Sequence, residues 1–214
     1  RLPPAWRDNE WRLRSHHRGA LGRLDPAVVL AASYIMEYGI TLTLDQTIRE
    51  LKRFQGPLFC IAIGLPGSGK STFIEKMASK INFVIASTDD IVDREAKKMG
   101  LSYSDAFNKL DFRAIQAEFN NNLAAAIAKR KNIVIDQTNI SSKSRRSKID
   151  LIPAYYVRIA LVFEVHEELL RQRLRNRAIA TGKYISDHVI KQMTSNYQAP
   201  TKNENFDLII EIQQ

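Results

Sequence analysis

The sequence reads as an α/β protein, a three-layer sandwich built on a central, mostly parallel sheet. Three observations carry this reading. From Leu58 onward, short apolar runs alternate with longer stretches of helical composition. The runs are almost wholly apolar and rich in Val and Ile, as strands buried on both faces are. The first run leads directly into a glycine-rich loop, and a helical stretch follows it.

Strands are expected at Leu58–Ile63, Phe83–Ala86, Asn132–Ile135, Arg158–Val165 and Leu208–Ile212. Helices are expected between them, over Ser71–Lys80, Asp90–Met99, Ser104–Arg130, Lys143–Leu151, Glu167–Ile179 and Ser186–Asn196. Ser104 is the expected cap of the longest, whose Ala124–Ala128 stretch has high helix propensity. Strands alternating with helices imply βαβ units and parallel pairing.

Residues 1–56 differ from the rest. They open on Trp6, Trp11, His16 and His17 in an Arg-rich stretch. A helix is expected after Asp25, with Pro26 at its first position, through Val28–Tyr38 to Gly39. Asp45 is the expected cap of a second helix running to Phe54, and Gly56-Pro57 then breaks the chain. The expected division is a small, mainly helical, basic appendage at 1–56 and a catalytic domain at 57–214.

The length of 214 residues suits one good-sized domain with such an appendage. Cys60 is the single cysteine, so no intrachain disulfide framework exists and a reducing, cytoplasmic setting is expected. The longest apolar stretches are too short to cross a bilayer, so no membrane partner is expected. The net charge is +9. Basic residues cluster at Lys129, Arg130 and Lys131, at Lys143, Arg145, Arg146 and Lys148, and at Arg171, Arg173, Arg175, Arg177 and Lys183. Such clusters attract polyanions, either nucleotide phosphates or nucleic-acid backbones.

The strongest local signal is Gly64-Leu65-Pro66-Gly67-Ser68-Gly69-Lys70-Ser71, which fits G-x-x-x-x-G-K-[ST] without departure. Glycines let the backbone curl until successive N–H groups face a phosphate, and the next helix adds its positive end. Gly64, Gly67, Ser68, Gly69, Lys70, Ser71 and Thr72 are therefore the expected ATP-binding residues. Lys70 is expected at the β- and γ-phosphates, and Ser71 on Mg2+. The fold class sharpens accordingly to a P-loop NTPase sandwich.

Ser87-Thr88-Asp89-Asp90 follows the second run, where α/β sheets bind their ligands. Asp89 is the candidate general base for an acceptor hydroxyl. The alternative is that Asp89 or Asp90 only caps the next helix. Asp136-Gln137-Thr138-Asn139 ends the third run, and Asp136 is the candidate second magnesium ligand, or else part of a plain turn. Arg173 and Arg177 share a helix face and are candidates for a lid over the transferring phosphate, with Ala180-Thr181-Gly182-Lys183 as its hinge. A solvated basic face is the alternative. Asn203–Phe206 is placed near the adenine by position alone.

Over about Leu58–Ile212 these elements, in this order, resemble the 5′-kinase domain of phage-type polynucleotide kinases. The resemblance implies Asp89 as general base, Lys70 and Ser71 in the phosphate loop, and Arg173 and Arg177 in the lid. It maps the family's strand-end Asp-Thr-Asn element onto Asp136, Thr138 and Asn139, with Gln137 as an extra residue. It puts Asp90, Thr138, Asn139, Arg145 and Arg146 at the acceptor. The sequence departs from the family where its arginine three positions beyond the base is Val92 here; the nearest arginine, Arg94, is a candidate at the acceptor. No Asp-x-Asp-x-Thr phosphatase motif occurs. The expected function is ATP- and Mg2+-dependent phosphorylation of a nucleic acid, DNA or RNA, most simply at a polynucleotide 5′-hydroxyl. Three alternatives stay open: a hydroxymethylated base as acceptor, a small-molecule kinase like the zeta toxins or the sugar and nucleoside kinases, and a nucleotide-switched binding protein.

Overall fold

The computed structural model describes residues 40–213. The helix expected over Val28–Tyr38, and Trp6, Trp11, His16 and His17, lie outside the described residues.

A six-stranded sheet forms the middle layer. Its strands are β1 (Ile40–Leu42), β2 (Leu58–Ile63), β3 (Phe83–Ala86), β4 (Asn132–Ile135), β5 (Val157–Val162) and β6 (Leu208–Ile212). They lie in the order β1-β6-β5-β2-β4-β3, and every pairing is parallel. The helices are α1 (Leu44–Leu51), α2 (Lys70–Ala78), α3 (Thr88–Met99), α4 (Tyr103–Lys109), α5 (Phe112–Ala128), α6 (Ser142–Ile149), α7 (Glu167–Thr181) and α8 (Asp187–Ser195).

The two-residue period of β2 divides the core. Leu58, Cys60 and Ala62 face α1 and α2 through Ile48, Leu51, Ile74 and Met77. Phe59, Ile61 and Ile63 face α3, α5 and α6 through Ile91, Val92, Ile115, Phe119, Leu123 and Ile149. Each such aliphatic or aromatic side chain contributes about 1.5–3 kcal/mol on full burial, so β2 is anchored from both sides. That is the three-layer sandwich the apolar runs predict.

Four local expectations are corrected. Strand β1 was not expected, yet it pairs in register with β6, Ile40 opposite Ile210. Leu42, Ile48 and Leu51 join the core cluster on that side of the sheet. Helix α1 is capped by Thr43 in a capping box with Gln46, not by Asp45. The long helix expected over Ser104–Arg130 is two helices, broken at Leu110, whose backbone is extended. Ser102 caps the first, and Asp111 caps the second by accepting from the Arg113 N–H at 2.8 Å. Strand β5 begins at Val157 and ends at Val162, because Glu164 turns out to solvent.

Candidate active site

The central strand β2 ends in the loop Gly64–Gly69, and α2 starts at Lys70. Gly64 leaves the sheet where a side chain has no room: a Cβ there would sit 2.6 Å from the Phe163 carbonyl oxygen. Its N–H donates to the Thr138 carbonyl at 3.0 Å, which ties the loop to the end of β4. Gly67 has φ of +83°, and α7 crosses it with Leu174 only 3.1 Å from where a Cβ would stand. The lid helix thus packs directly on the phosphate loop.

Lys70 is buried and donates from Nζ to the Leu65 carbonyl at 2.7 Å and to Ser68 Oγ at 3.2 Å. Loss of hydration pulls its pKa down to about 8, against the upward pull of the Asp136 and Asp89 carboxylates. The Ser71 hydroxyl bonds the Asp136 carboxylate at the mouth of the loop. Burial raises the Asp136 pKa, and Ser71 and Lys70 oppose that rise. This pair fits magnesium: both donors are oxygens, as that hard cation prefers. No group of three or more His, Cys, Asp or Glu side chains converges on a ready metal cage among the described residues. One hydroxyl and one carboxylate beside the nucleotide's own phosphates is the usual magnesium arrangement in such sites.

Asp89 and Asp90 stand in the first turn of α3, and neither is its cap. Ser87 is: its Oγ accepts from the Asp90 N–H at 3.2 Å. The capping alternative is thereby resolved, and both carboxylates are left to the site. Asp89 Oδ1 accepts from the Tyr103 hydroxyl at 3.0 Å, and its Oδ2 lies 3.7 Å from Arg177 Nη2. Asp90 is raised in pKa by loss of hydration first and then by Asp136, Asp89 and Asp93. Gln137, the extra residue of the strand-end element, donates to Thr88 Oγ1 at 3.0 Å and joins the two strand ends.

The lid comes down on α3 and α4 as well. Lys183 pairs with Asp93 and lies 4.1 Å above the Tyr103 ring, and Ser104 donates to the Gly182 carbonyl at 3.0 Å. Arg177 thus reaches the site, and Arg173 sits one turn earlier on the same helix. Tyr103 and Asp93 were missed in the sequence, and Lys183 was read only as part of the basic cluster and the hinge. The fold-back of α4 on α3 brings Tyr103 to Asp89, Asp93 stands one turn beyond Asp89 on α3 itself, and Lys183 arrives from the segment after α7.

Several expected acceptor residues have other work. Arg145 is fully buried. Its Nε and Nη2 bind Glu204 at 2.6 and 2.7 Å, and Nη1 donates to the Asn139 and Gln198 carbonyls. The guanidinium is spent inside the fold and is not an acceptor contact. Asn139 is also buried, in a left-handed conformation, and its amide donates to the Ala62 carbonyl at 2.8 Å. It holds β2 to the β4 end, so its role is support of the phosphate loop. Thr138 contributes its carbonyl to Gly64. Arg94 makes a two-pronged pair with Glu118, both contacts at 2.6 Å, and also binds Glu95. Arg146 is exposed on α6. Glu204 is taken by Arg145 and Phe206 is buried in the core, so neither is offered to adenine.

Comparison with known proteins agrees with this geometry. An AAA-domain family model, AAA_33, matches residues 59–200. The adenylate kinase of Mycoplasma mycoides is 25% identical over 124 residues, covering 55% of this chain and 57% of that protein. The human heterogeneous nuclear ribonucleoprotein U-like protein 2 is 26% identical over 155 residues, covering 69% of this chain and 20% of that protein. The chain therefore spans little more than half of one relative and a fifth of the other. A solved structure from Chloroflexus aurantiacus, described as a candidate kinase, superposes with a TM-score of 0.54 at 16% identity, covering 74% of this chain and 84% of that one. The family match takes in the phosphate loop, Asp89, Asp136 and the lid, and the chain belongs to the AAA_33 family of AAA domains, with a kinase-like P-loop phosphotransferase fold.

Proposed function

We propose that the protein transfers the γ-phosphate of ATP to a hydroxyl of a nucleic acid, first of all a polynucleotide 5′-hydroxyl. The observation that carries the transfer reading is the placement of Asp89. It is released from capping by Ser87, and it is held between the Tyr103 hydroxyl and Arg177 of the lid. A carboxylate so fixed accepts the proton of an incoming hydroxyl and orients its oxygen. Lys70 and Arg177 place positive charge around the transferring group, and Arg173 follows one turn away. Ser71 and Asp136 would hold magnesium, which when bound offsets the charge of the β- and γ-phosphates.

The nucleic-acid acceptor is supported by the motif order shared with polynucleotide 5′-kinases and by the net charge of +9. The similarity to a ribonucleoprotein-like protein points the same way. A second reading, a small uncharged acceptor, is favoured by one observation. Asp89, Asp90 and Asp93 crowd the acceptor side, and Arg94 is turned to Glu118 and Glu95. A labelled-phosphate assay with magnesium-ATP tests both. The acceptors are 5′-hydroxyl DNA and RNA, an end-blocked duplex with hydroxymethylated bases, and pooled sugars and nucleosides. Label on the 5′-hydroxyl strands is the expected result. Label confined to the small-molecule pool replaces the first reading with the second.

A further inference from the structure

Strand polarity puts the first basic cluster where the sequence could not. Lys129, Arg130 and Lys131 precede β4, at the end of the sheet opposite the phosphate loop. They do not touch the nucleotide site. Two features set them apart from an ordinary basic helix end. Arg130 takes a left-handed conformation, φ of +49°, at the position where a helix usually ends in glycine, and such backbone costs a residue with a side chain stability. That side chain stacks 4.5 Å over Tyr155, which is 39% exposed. None of the three cations enters an ion pair among the described residues, whereas Arg53, Arg94, Lys98, Arg171, Arg177 and Lys183 all do.

A surface leads from Asp89 to this turn. Tyr103, which holds Asp89, stacks on Phe107, and Phe107 meets Phe112 edge-on at 4.6 Å. Phe107 and Phe112 are 43% and 46% exposed, too open for core residues. From there Arg113, Gln116 and Asn120 follow at helical spacing along the exposed side of α5, which has Glu118 as its one acid, taken by Arg94. Helix α5 runs 17 residues, about 25 Å at 1.5 Å per residue.

Resting on the reading of the protein as a nucleic-acid kinase, we infer that the outer face of α4 and α5 is a track for single-stranded nucleic acid. The rings of Phe107 and Phe112 stack bases near the reacting end. Amide side chains follow, and Lys129, Arg130 and Lys131 hold phosphates at the far end. Aromatic platforms joined to a basic groove are how single strands are bound without regard to sequence. A track of this kind reconciles an acidic acceptor pocket with a polyanionic substrate, because affinity is supplied away from the reacting hydroxyl.

The test is fluorescence anisotropy of a long single-stranded oligonucleotide already phosphorylated at its 5′ end, so that no transfer is needed. The full chain is compared with the triple variant Lys129→Ala, Arg130→Gly, Lys131→Ala and with Phe107→Ala/Phe112→Ala. The triple variant is expected to weaken binding about tenfold and to lower the log–log salt slope by about 2, at about 0.7 per phosphate contact. Phe107→Ala/Phe112→Ala is expected to weaken binding with the slope unchanged. Transfer to a dinucleotide and to a long acceptor is then compared for the triple variant, with the KM rise expected on the long acceptor alone. Unchanged binding in both variants overturns the track, as does an equal loss on both acceptor lengths, or uptake of anionic lipid vesicles in place of the oligonucleotide. Loss of oligonucleotide binding in the variants, with no transfer to any strand, upholds the track and overturns the kinase reading alone.

Discussion

The hydroxyl of Tyr103 lies 3.0 Å from Oδ1 of Asp89 and donates to it. Loss of hydration, followed by the charge of Asp89, pushes the Tyr103 pKa up, so the phenol remains a donor through the neutral range. A hydrogen bond to a charged partner contributes about 1.5–3 kcal/mol. Tyr103→Phe is therefore expected to lower kcat by tenfold or more while ATP binding is preserved. Steady-state kinetics beside nucleotide titration check this, and an unchanged kcat would remove Tyr103 from the site.

Asp89→Asn keeps the shape of the side chain and removes its basicity. General-base catalysis supplies about 10²–10⁴ in rate, so transfer is expected to fall by that factor with ATP affinity retained. Rapid-quench measurement of the transfer step, beside equilibrium nucleotide binding, separates the two. Full activity in this variant would sink the base assignment.

Lys70 gives a pH signature. Its pKa is about 8 in the folded protein because burial strips its hydration. Polyphosphate beside it favours the ammonium form and raises that value. ATP affinity is then at its full value below pH 8 and declines as pH rises above it. Calorimetry in two buffers of different ionisation enthalpy is expected to show proton uptake on binding near pH 8, and almost none well below it. Lys70→Met should abolish the uptake.

Arg145 gives the opposite kind of result. Its guanidinium is buried with Glu204, and removing one partner of a buried pair costs about 3–5 kcal/mol. Arg145→Ala is expected to lower Tm by about 10 °C, on the usual scaling for a domain of this size. Thermal unfolding followed by circular dichroism measures it. Arg173→Ala, on the lid, is expected to slow turnover with Tm nearly unchanged. A collapsed transition in that variant would make Arg173 structural.

What could be read from the sequence was whatever depends on near neighbours. The five longer apolar runs are strands because four to six mostly aliphatic residues, with at most one charge, suit a strand covered on both faces. The phosphate loop is equally local, since its chemistry is written in eight consecutive residues. The misreadings depend on partners far along the chain. Arg145 looks like its basic neighbours until Glu204, 59 residues on, folds over it. Arg94 is claimed by Glu118 on another helix. Strand β1 has three residues, too few for a periodicity, and gains its identity only from β6 at the other end of the chain. Tyr103 escaped notice because it lies just before the helix expected from Ser104, and only the break at Leu110 turns that stretch into a short helix folded back over Asp89.

The partition of the interior has an engineering meaning. Nothing from α3, α4, α5 or α6 enters the core on the face of α1 and α2, and the loop that cradles phosphate is braced from β4 through Thr138 and Asn139. On the proposed function, the half that handles the donor is a chassis, and the outer residues of α4 and α5 are a cartridge. Libraries that vary those outer positions would sample new acceptors while the donor machinery stays constant.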